Sequence, residues 1–483
     1  MNKTKNYSGY TSLTELEQAV KRDLDIMSFP SKDWSPKKEY NGQPVLDVAV
    51  LGAGQAGLAI GFGLSRHNIK NIRIFDKAIR GEEGPWTTYA RMVTLRTPKY
   101  LKGPELGYAN LSFRSWYEAS FGEQAWQDLD KIPKETWKEY LDWFRDINQL
   151  PVESDRNCVG VEWDNGIFTL LFQDHLGQQY TVYARKIVLA TGIDGNGKWF
   201  SPDFLKILPK EYYAHTSEHI DFDKLKGKRI GVLGGGASAF DNAATALEQG
   251  AGRVDLCLRR KIIPSVNPHR WMEQTGFLCH YAYLPDHQRW AFMQRICDLN
   301  QPPPQDTFWR CRQHENFFYH TGCQWTSVEL VDNEIHVETT TGKMIFDFLI
   351  IGTGFTIDLT ARPETASYAS SVALWSDRFT PDEGMENAVL GSYPYLTENY
   401  QFLPKNPDDP KKEMLSSIYN FTFGALISMG LSGASISGMY FGVDRLVKSV
   451  GRGLFLEDGD YHLQSLLDYN VKELVDLNPP KSV

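Results

Sequence analysis

Two stretches decide the fold: "VAVLGAGQAGLA" at Val48–Ala59 and "IGVLGGGASAFD" at Ile230–Asp241. In each, an apolar run ends in a glycine turn, and small residues then open a helix. This is the strand–turn–helix start of a dinucleotide-binding βαβ unit. In the first, Gly52 permits the tight turn, Gly54 lets backbone approach a pyrophosphate with no Cβ in the way, and Gly57 permits close helix–strand packing. The phosphates would rest on the free N–H groups of the helix's first turn. The second stretch has Gly234 and Gly236 in the same places, with Ser238 beside Ala239 at the third. Alanine is a permitted variant there and is expected to loosen the helix–strand packing slightly.

The strands that follow differ in charge. "NIRIFD" ends in Asp76, 24 positions beyond Gly52, where a carboxylate accepts bonds from ribose hydroxyls. "RVDLCLRR" ends in Arg259 and Arg260, followed by Lys261, with Arg259 25 positions beyond Gly234. A carboxylate there repels a 2′-phosphate, whereas guanidinium groups hold it through charge-assisted bonds. The first turn is therefore expected to take a dinucleotide with a free ribose, and the second NADPH. Each block closes on an apolar strand reading T-G: "KIVLATG" at Lys186–Gly192 and "FDFLIIGTGF" at Phe346–Phe355. The chain thus repeats a whole α/β nucleotide-binding unit.

The 483 residues are 42% hydrophobic and 23% charged, an ordinary globular composition with room for two or three domains. A net charge of -9 argues against a protein that tracks nucleic-acid phosphates. The six cysteines include no C-x-x-C pair, which suits a reducing cytoplasm. "MNKTKNYSGYTSLTELEQ" lacks the apolar region of a secretory signal. "FTFGALISMGLSGASISGMYFGV" at Phe421–Val443 imitates a membrane span, but serines 428, 432, 435 and 437 interrupt it and Asp444 and Arg445 follow. It reads instead as a small-residue turn before an amphipathic helix with Ile436, Met439, Tyr440, Val443, Leu446 and Val447 on one face and Gly451 just past its end. Near the start, Leu13, Leu16, Val20, Leu24 and Met27 lie at helical spacing behind a Ser12/Glu15 capping box. They predict a helix packed on the main body or serving self-association.

"GPWTTYARMVTLRTPK", "IVLATG", "GGGASAFD" and "IIGTGF" together resemble the class B flavoprotein monooxygenases, of the two-dinucleotide-binding-domain flavoprotein superfamily, over about residues 45–450. The resemblance implies two Rossmann-like domains, an NADPH domain inserted in an FAD domain, with the N-terminal helical arm appended. The expected divisions are the arm at 1–44, the first part of the FAD domain at 45–204, the NADPH domain at 205–355 with an aromatic-rich cap at 264–325, and the rest of the FAD domain at 356–483. It places Trp86 near the flavin, Thr191–Gly192 and Thr353–Gly354 at the crossings between domains, and Ser238 on the coenzyme pyrophosphate. The N-terminus of the helix after Ser435 would face the flavin, where its dipole favours negative charge. His215 and Ser217 match a linker motif of the class, although Pro209 and Glu211 depart from it.

The reaction so implied uses FAD, NADPH and O2: a C4a-(hydro)peroxyflavin delivers one oxygen atom to a small molecule. The Baeyer–Villiger pattern is missing around His215, which favours oxygenation at an amine nitrogen or sulfur. Arg96, Thr97 and Lys99 lack the asparagine usual in that segment and receive no catalytic role, and no catalytic side chain is assigned. Arg270 and Arg289 are weighed as partners for a substrate carboxylate against a plain surface role. Baeyer–Villiger oxygenation, a disulfide reductase and a flavin redox sensor that does not oxygenate stand as alternatives. The dispersed cysteines count against the disulfide reductase.

Overall fold

The computed structural model describes residues 9–28, 32–431, 433 and 435–475. Its first sheet grows from the strand Gln43–Leu51, whose Val48, Ala49 and Val50 are buried completely. Ile72–Phe75 pairs parallel on one side, and Gln179–Leu189 pairs parallel on the other. Val152–Glu153 extends the first edge, and the antiparallel Ile167–Gln173 and Asn157–Asp164 extend the second. Far along the chain, Ile418–Asn420 returns to pair parallel with Gln179–Leu189, placing Ile418 opposite Ile187. Chain from both ends of the sequence therefore builds one sheet.

Between those passes stands a second, five-stranded parallel sheet. Its order is Phe317–Thr321, Arg253–Leu258, Arg229–Leu233, Phe348–Ile351 and Tyr213–His215. The central strands Arg229–Leu233 and Phe348–Ile351 are mostly Val, Ile, Leu and Phe because helices and a three-stranded antiparallel sheet (Trp325–Val331, Glu334–Thr339, Gly342–Phe346) cover the two faces. The fold is α/β with two Rossmann-type units, the second inserted in the first. The chain crosses between them on adjacent strands, where Gly197–Trp199 pairs antiparallel with Phe355–Ile357.

The aromatic-rich stretch 264–325 divides in two. Helices Pro268–Met272, Thr275–His280 and Asp286–Leu299 bury Met272, Phe277, Trp290 and Met293 against Trp375, Ile427 and Leu431 of the returning chain. The helix Gln305–Arg312 and the strand Phe317–Thr321 instead complete the second unit. The strand is hard to read in sequence because its edge position leaves Phe318 and Tyr319 exposed, so apolar alternation is lost.

The N-terminal helix spans Leu13–Ile26 and lies on the first unit. Leu16 and Val20 are buried, and Asn110 accepts from the Tyr10 hydroxyl and donates to Asp23. Met27, expected on the buried face, is 55% exposed because the helix ends one residue before it. Ser12 Oγ accepts the Glu15 N–H, while Glu15 reaches back to the Thr11 N–H, one position short of the expected box. The later amphipathic helix runs from Ile436 to Glu457, past Gly451, where a stop was expected. Gly451 keeps helical backbone, and the packing of Val450 and Leu454 carries the helix through it. Ser432, counted in the small-residue turn, lies outside the described residues. Among the described residues, no helix is long and apolar enough to cross a membrane.

Candidate active site

At the first turn, Gly52 has φ +105°, and a Cβ there would lie 2.4 Å from the Ala190 carbonyl oxygen. A Cβ at Gly57 would lie 1.8 Å from the Gly52 oxygen, so helix and strand meet without room for a methyl group. Gly54 is the N-cap of the helix Gln55–Arg66, has no side-chain cap, and opens on empty space. The helix's first N–H groups are thus offered to a ligand rather than to the chain. Asp76 follows directly on the strand Ile72–Phe75. Its carboxylate accepts the Ala53 N–H at 2.7 Å and the Ala78 N–H at 2.8 Å, which fixes it at the lip of the turn. Burial raises its pKa against these bonds.

The second turn copies the first, with one exchange. Gly234 has φ +134°, and its Cβ would lie 2.2 Å from the Gly352 oxygen, as that of Gly52 meets Ala190. Gly236 caps the helix Ala237–Glu248 with no side-chain bond, and Ser238 is exposed in its first turn. Ala239 is fully buried, and its Cβ stands where a Cβ at Gly352 would approach to 2.7 Å. The pair of residues is exchanged between the units: Gly57 on the helix and Ala190 after the closing strand in the first correspond to Ala239 and Gly352 in the second, where the alanine Cβ packs against the glycine. Ala239 therefore fills its contact rather than loosening it, which corrects the sequence expectation. Beyond the strand Arg253–Leu258, Arg259 is exposed and has no partner among the described residues, while Arg260 donates to the carbonyls of Asp298 (3.2 Å) and Cys297 (3.5 Å).

The two T-G turns flank the crossing strands. Gly192 and Gly354 have φ of +85° and +78°, and the Phe200 N–H donates to the Gly354 oxygen at 2.9 Å. Thr353 Oγ1 donates to the Phe200 carbonyl. Thr191 Oγ1 is buried with no partner among the described residues. His215 sits at this junction, buried, its Nδ1 2.7 Å from Ser217 Oγ and its ring 5.2 Å from that of Trp199. Burial lowers its pKa, so the ring is neutral at pH 7.

Between the units lies a cavity of about 280 Å³. Gln55 of the first helix and Ile436 of the Ile436–Glu457 helix open onto it, as do Trp86, Arg96 and Thr97 from the segment after the first βαβ unit. The inserted unit contributes Asn267, His269, Arg270, Glu273 and Gln301. Trp86 is buried, its Nε1 unpartnered among the described residues, and Lys134 holds its carbonyl at 3.1 Å. Ser435 caps the Ile436–Glu457 helix without a side-chain bond, leaving that N-terminus directed at the cavity. The helix start at Gln55 and the orphaned donors of Trp86 and Thr191 suit a flavin dinucleotide laid from the Gly52 turn into the cavity.

Of the residues singled out in sequence, Trp86, Ser435, Ile436 and Arg270 meet at this cavity, as do Arg96 and Thr97, which had been given no role. Gly234, Gly236 and Ser238 lie instead at the second turn, with Arg259 just past the end of the adjoining strand, while Arg260 reaches the end of the Asp286–Leu299 helix. Arg289 serves structure: it is buried, donates to the Ser428 carbonyl at 3.1 Å and lies 4.9 Å over the Trp375 ring. Among the described residues, no cysteine lines the cavity. Cys257, on the strand Arg253–Leu258 of the second sheet, and Cys323 are fully buried in one apolar cluster, and burial pushes the Cys257 thiol far up.

The pyridine nucleotide-disulphide oxidoreductase family profile matches residues 49–274. An FAD-dependent urate hydroxylase from Xanthomonas campestris pv. campestris is 42% identical over 467 residues, covering 96% of this chain and 98% of that protein. Among solved structures, the ornithine N-hydroxylase of Kutzneria sp. 744 superposes with a TM-score of 0.66 at 15% identity, covering 85% of this chain and all of that one. The FAD-bound cadaverine monooxygenase of Erwinia amylovora gives 0.62 at 14% identity, covering 91% and 99%. At those identities the likeness speaks for the fold.

Proposed function

This chain belongs to the FAD-dependent monooxygenases built on two dinucleotide-binding domains, and on that premise we propose that it hydroxylates urate or a closely similar oxidised purine. The enzyme uses FAD, NADPH and O2. Hydride from NADPH supplies two electrons; one oxygen atom enters the substrate and the other leaves as water with the added protons. When bound, FAD takes up those electrons and passes them to O2. Full-length similarity to the urate hydroxylase, at 42% identity, carries the substrate reading. It narrows the expected small-molecule oxygenation to a planar heterocycle rather than an alkyl amine or sulfide.

The residues divide the work. Gly52, Gly54 and Gly57 would seat the FAD pyrophosphate on the Gln55 helix, Asp76 would meet its ribose, and Trp86, Thr191 and Gly192 would border the flavin ring. Gly234, Gly236, Ser238 and Ala239 seat the coenzyme pyrophosphate; Arg259 holds the 2′-phosphate, with Arg260 beside it. Thr353 and Gly354 hold the crossing through Phe200 and would thereby fix how the two cofactor seats stand to each other. The segment Asn267–Glu273 walls one side of the cavity and would help keep water from a bound flavin. The proposed division is an arm at 1–44, an FAD domain at 45–204 and 356–483, and an NADPH domain at 205–355; the presence of two separate sheets supports it, and six free cysteines suit a reducing cytoplasm.

The test is direct. Purified holoenzyme supplied with NADPH and urate should bleach urate absorbance in step with NADPH oxidation and O2 uptake, while ornithine, cadaverine, sulfides and ketones should not stimulate uptake. NADPH oxidation that leaves urate intact would overturn the reading.

A further inference from the structure

We propose that Arg96 selects an anionic heterocycle in the cavity, giving its free guanidinium edge to an exocyclic oxygen that carries part of the substrate's negative charge. The proposal rests on the urate reading above and adds the residue that enforces it. Urate is an anion at neutral pH, with its charge shared between ring nitrogens and oxygens.

Arg96 is held on three sides. The preceding Leu95 is buried, and its N–H donates to the Ile132 carbonyl at 2.7 Å. The guanidinium Nη2 donates to the Pro302 carbonyl at 2.6 Å, and the Arg96 carbonyl accepts from Arg270 Nη2 at 2.7 Å. The side chain comes from the first unit and is pinned by the second. Its Nη1 is buried with no partner among the described residues, and the residue lines the cavity. A buried N–H donor left unpaired is costly, and a bound acceptor removes that cost.

Nearby carboxylates do not supply the acceptor. Glu273 is taken by Arg270 at 3.2 Å and by the Ser437 hydroxyl at 2.8 Å. Asp306 is paired with Lys131 at 2.8 Å, and Asp241 accepts from Thr307 at 3.0 Å and Arg310 at 3.4 Å. Arg96 therefore presents a positive charge that no contacting carboxylate among the described residues cancels. A guanidinium is well matched to such a ligand, because its charge is permanent and its planar donor edge can lie in the plane of a purine. Trp86 and Phe423, also at the cavity, offer the flat apolar surface such a ring needs.

The test compares wild-type, Arg96→Gln and Arg96→Lys holoenzymes by equilibrium dialysis of urate, by KM and kcat for urate, and by anaerobic flavin reduction with NADPH alone. Arg96→Gln should weaken urate binding and raise its KM on the order of 10- to 100-fold, the loss of one charge-assisted bond. FAD content and the rate of reduction by NADPH should match wild type. Lysine should recover part of the affinity because it restores the charge without the planar fork. Urate affinity within about twofold of wild type in Arg96→Gln, or a loss confined to NADPH, would overturn the role of Arg96. A wild-type enzyme that neither binds nor consumes urate would instead defeat the substrate reading, and does so before any variant is made.

Discussion

Arg259 stands exposed with no partner among the described residues, whereas its neighbour Arg260 grips the carbonyls at the end of the Asp286–Leu299 helix. Arg259→Ala is therefore expected to weaken NADPH by about 1.5–3 kcal/mol while leaving NADH unchanged. Arg260→Ala should affect both coenzymes more evenly, because it loosens a helix end. Stopped-flow flavin reduction at varied NADPH and NADH separates the two, and equal losses in Arg259→Ala would displace the 2′-phosphate from this residue. A second contrast concerns Ala239 and Gly352. Gly352→Ala places two methyl groups at 2.7 Å and should cost about 1–3 kcal/mol. Adding Ala239→Gly, which recreates the arrangement of the first unit, should recover part of the loss despite the helix penalty of glycine. Thermal unfolding of the three variants reads this directly. The charge contrast between Asp76 and Arg259 was legible in sequence because it lies at a fixed distance along the chain. The Ala239–Gly352 exchange was not, since its partners are more than a hundred positions apart, and neither was Arg96, whose meaning depends on an unpaired atom.

At the level of elements, both glycine turns and the strands beside them were legible, because strand, turn and helix are set by neighbours in sequence. The end of the Ile436–Glu457 helix was not: glycine marks a stop locally, but buried contacts on either side outweigh it. Since Gly451 has ordinary helical backbone and a Cβ there would only touch Ile69 at 3.6 Å, Gly451→Ala should stabilise the protein by about 0.5–1 kcal/mol, seen as a higher unfolding temperature. At the other end of this helix, Glu105 lies buried beside Trp137 and Ile436, accepting the Gly103 N–H at 2.7 Å. Burial pushes its carboxyl up to about 7. The folded chain thus holds this proton more tightly than the unfolded one, whose carboxyl titrates near the ordinary 4.5. The group's contribution is most favourable at low pH and declines as pH rises from about 4.5 through 7. Glu105→Gln should remove that slope, leaving the variant more stable than wild type at pH 8 by about 3 kcal/mol and at pH 5 by less than about 1 kcal/mol. Denaturant midpoints at the two pH values check this, and a variant less stable at pH 8 would contradict it.

For the molecule as a whole, two nucleotide-binding units and their nesting were legible from the repeat and its resemblance. The N-terminal helix was legible as well, apart from Met27 at its end. The sharing of labour across the cavity was not, because Asn267, His269, Arg270 and Gln301 come from an aromatic stretch with no periodic signal. Those residues all lie on the chain between the crossing strands Gly197–Trp199 and Phe355–Ile357, which run side by side. The same excursion carries the seat proposed for the reductant and one side of the wall around the compound to be oxygenated. Replacing this block at its twin seams would exchange the coenzyme seat together with Asn267, His269, Arg270 and Gln301, while Arg96 stayed behind on the host unit, so coenzyme preference is the trait that a graft at this place would carry across most completely.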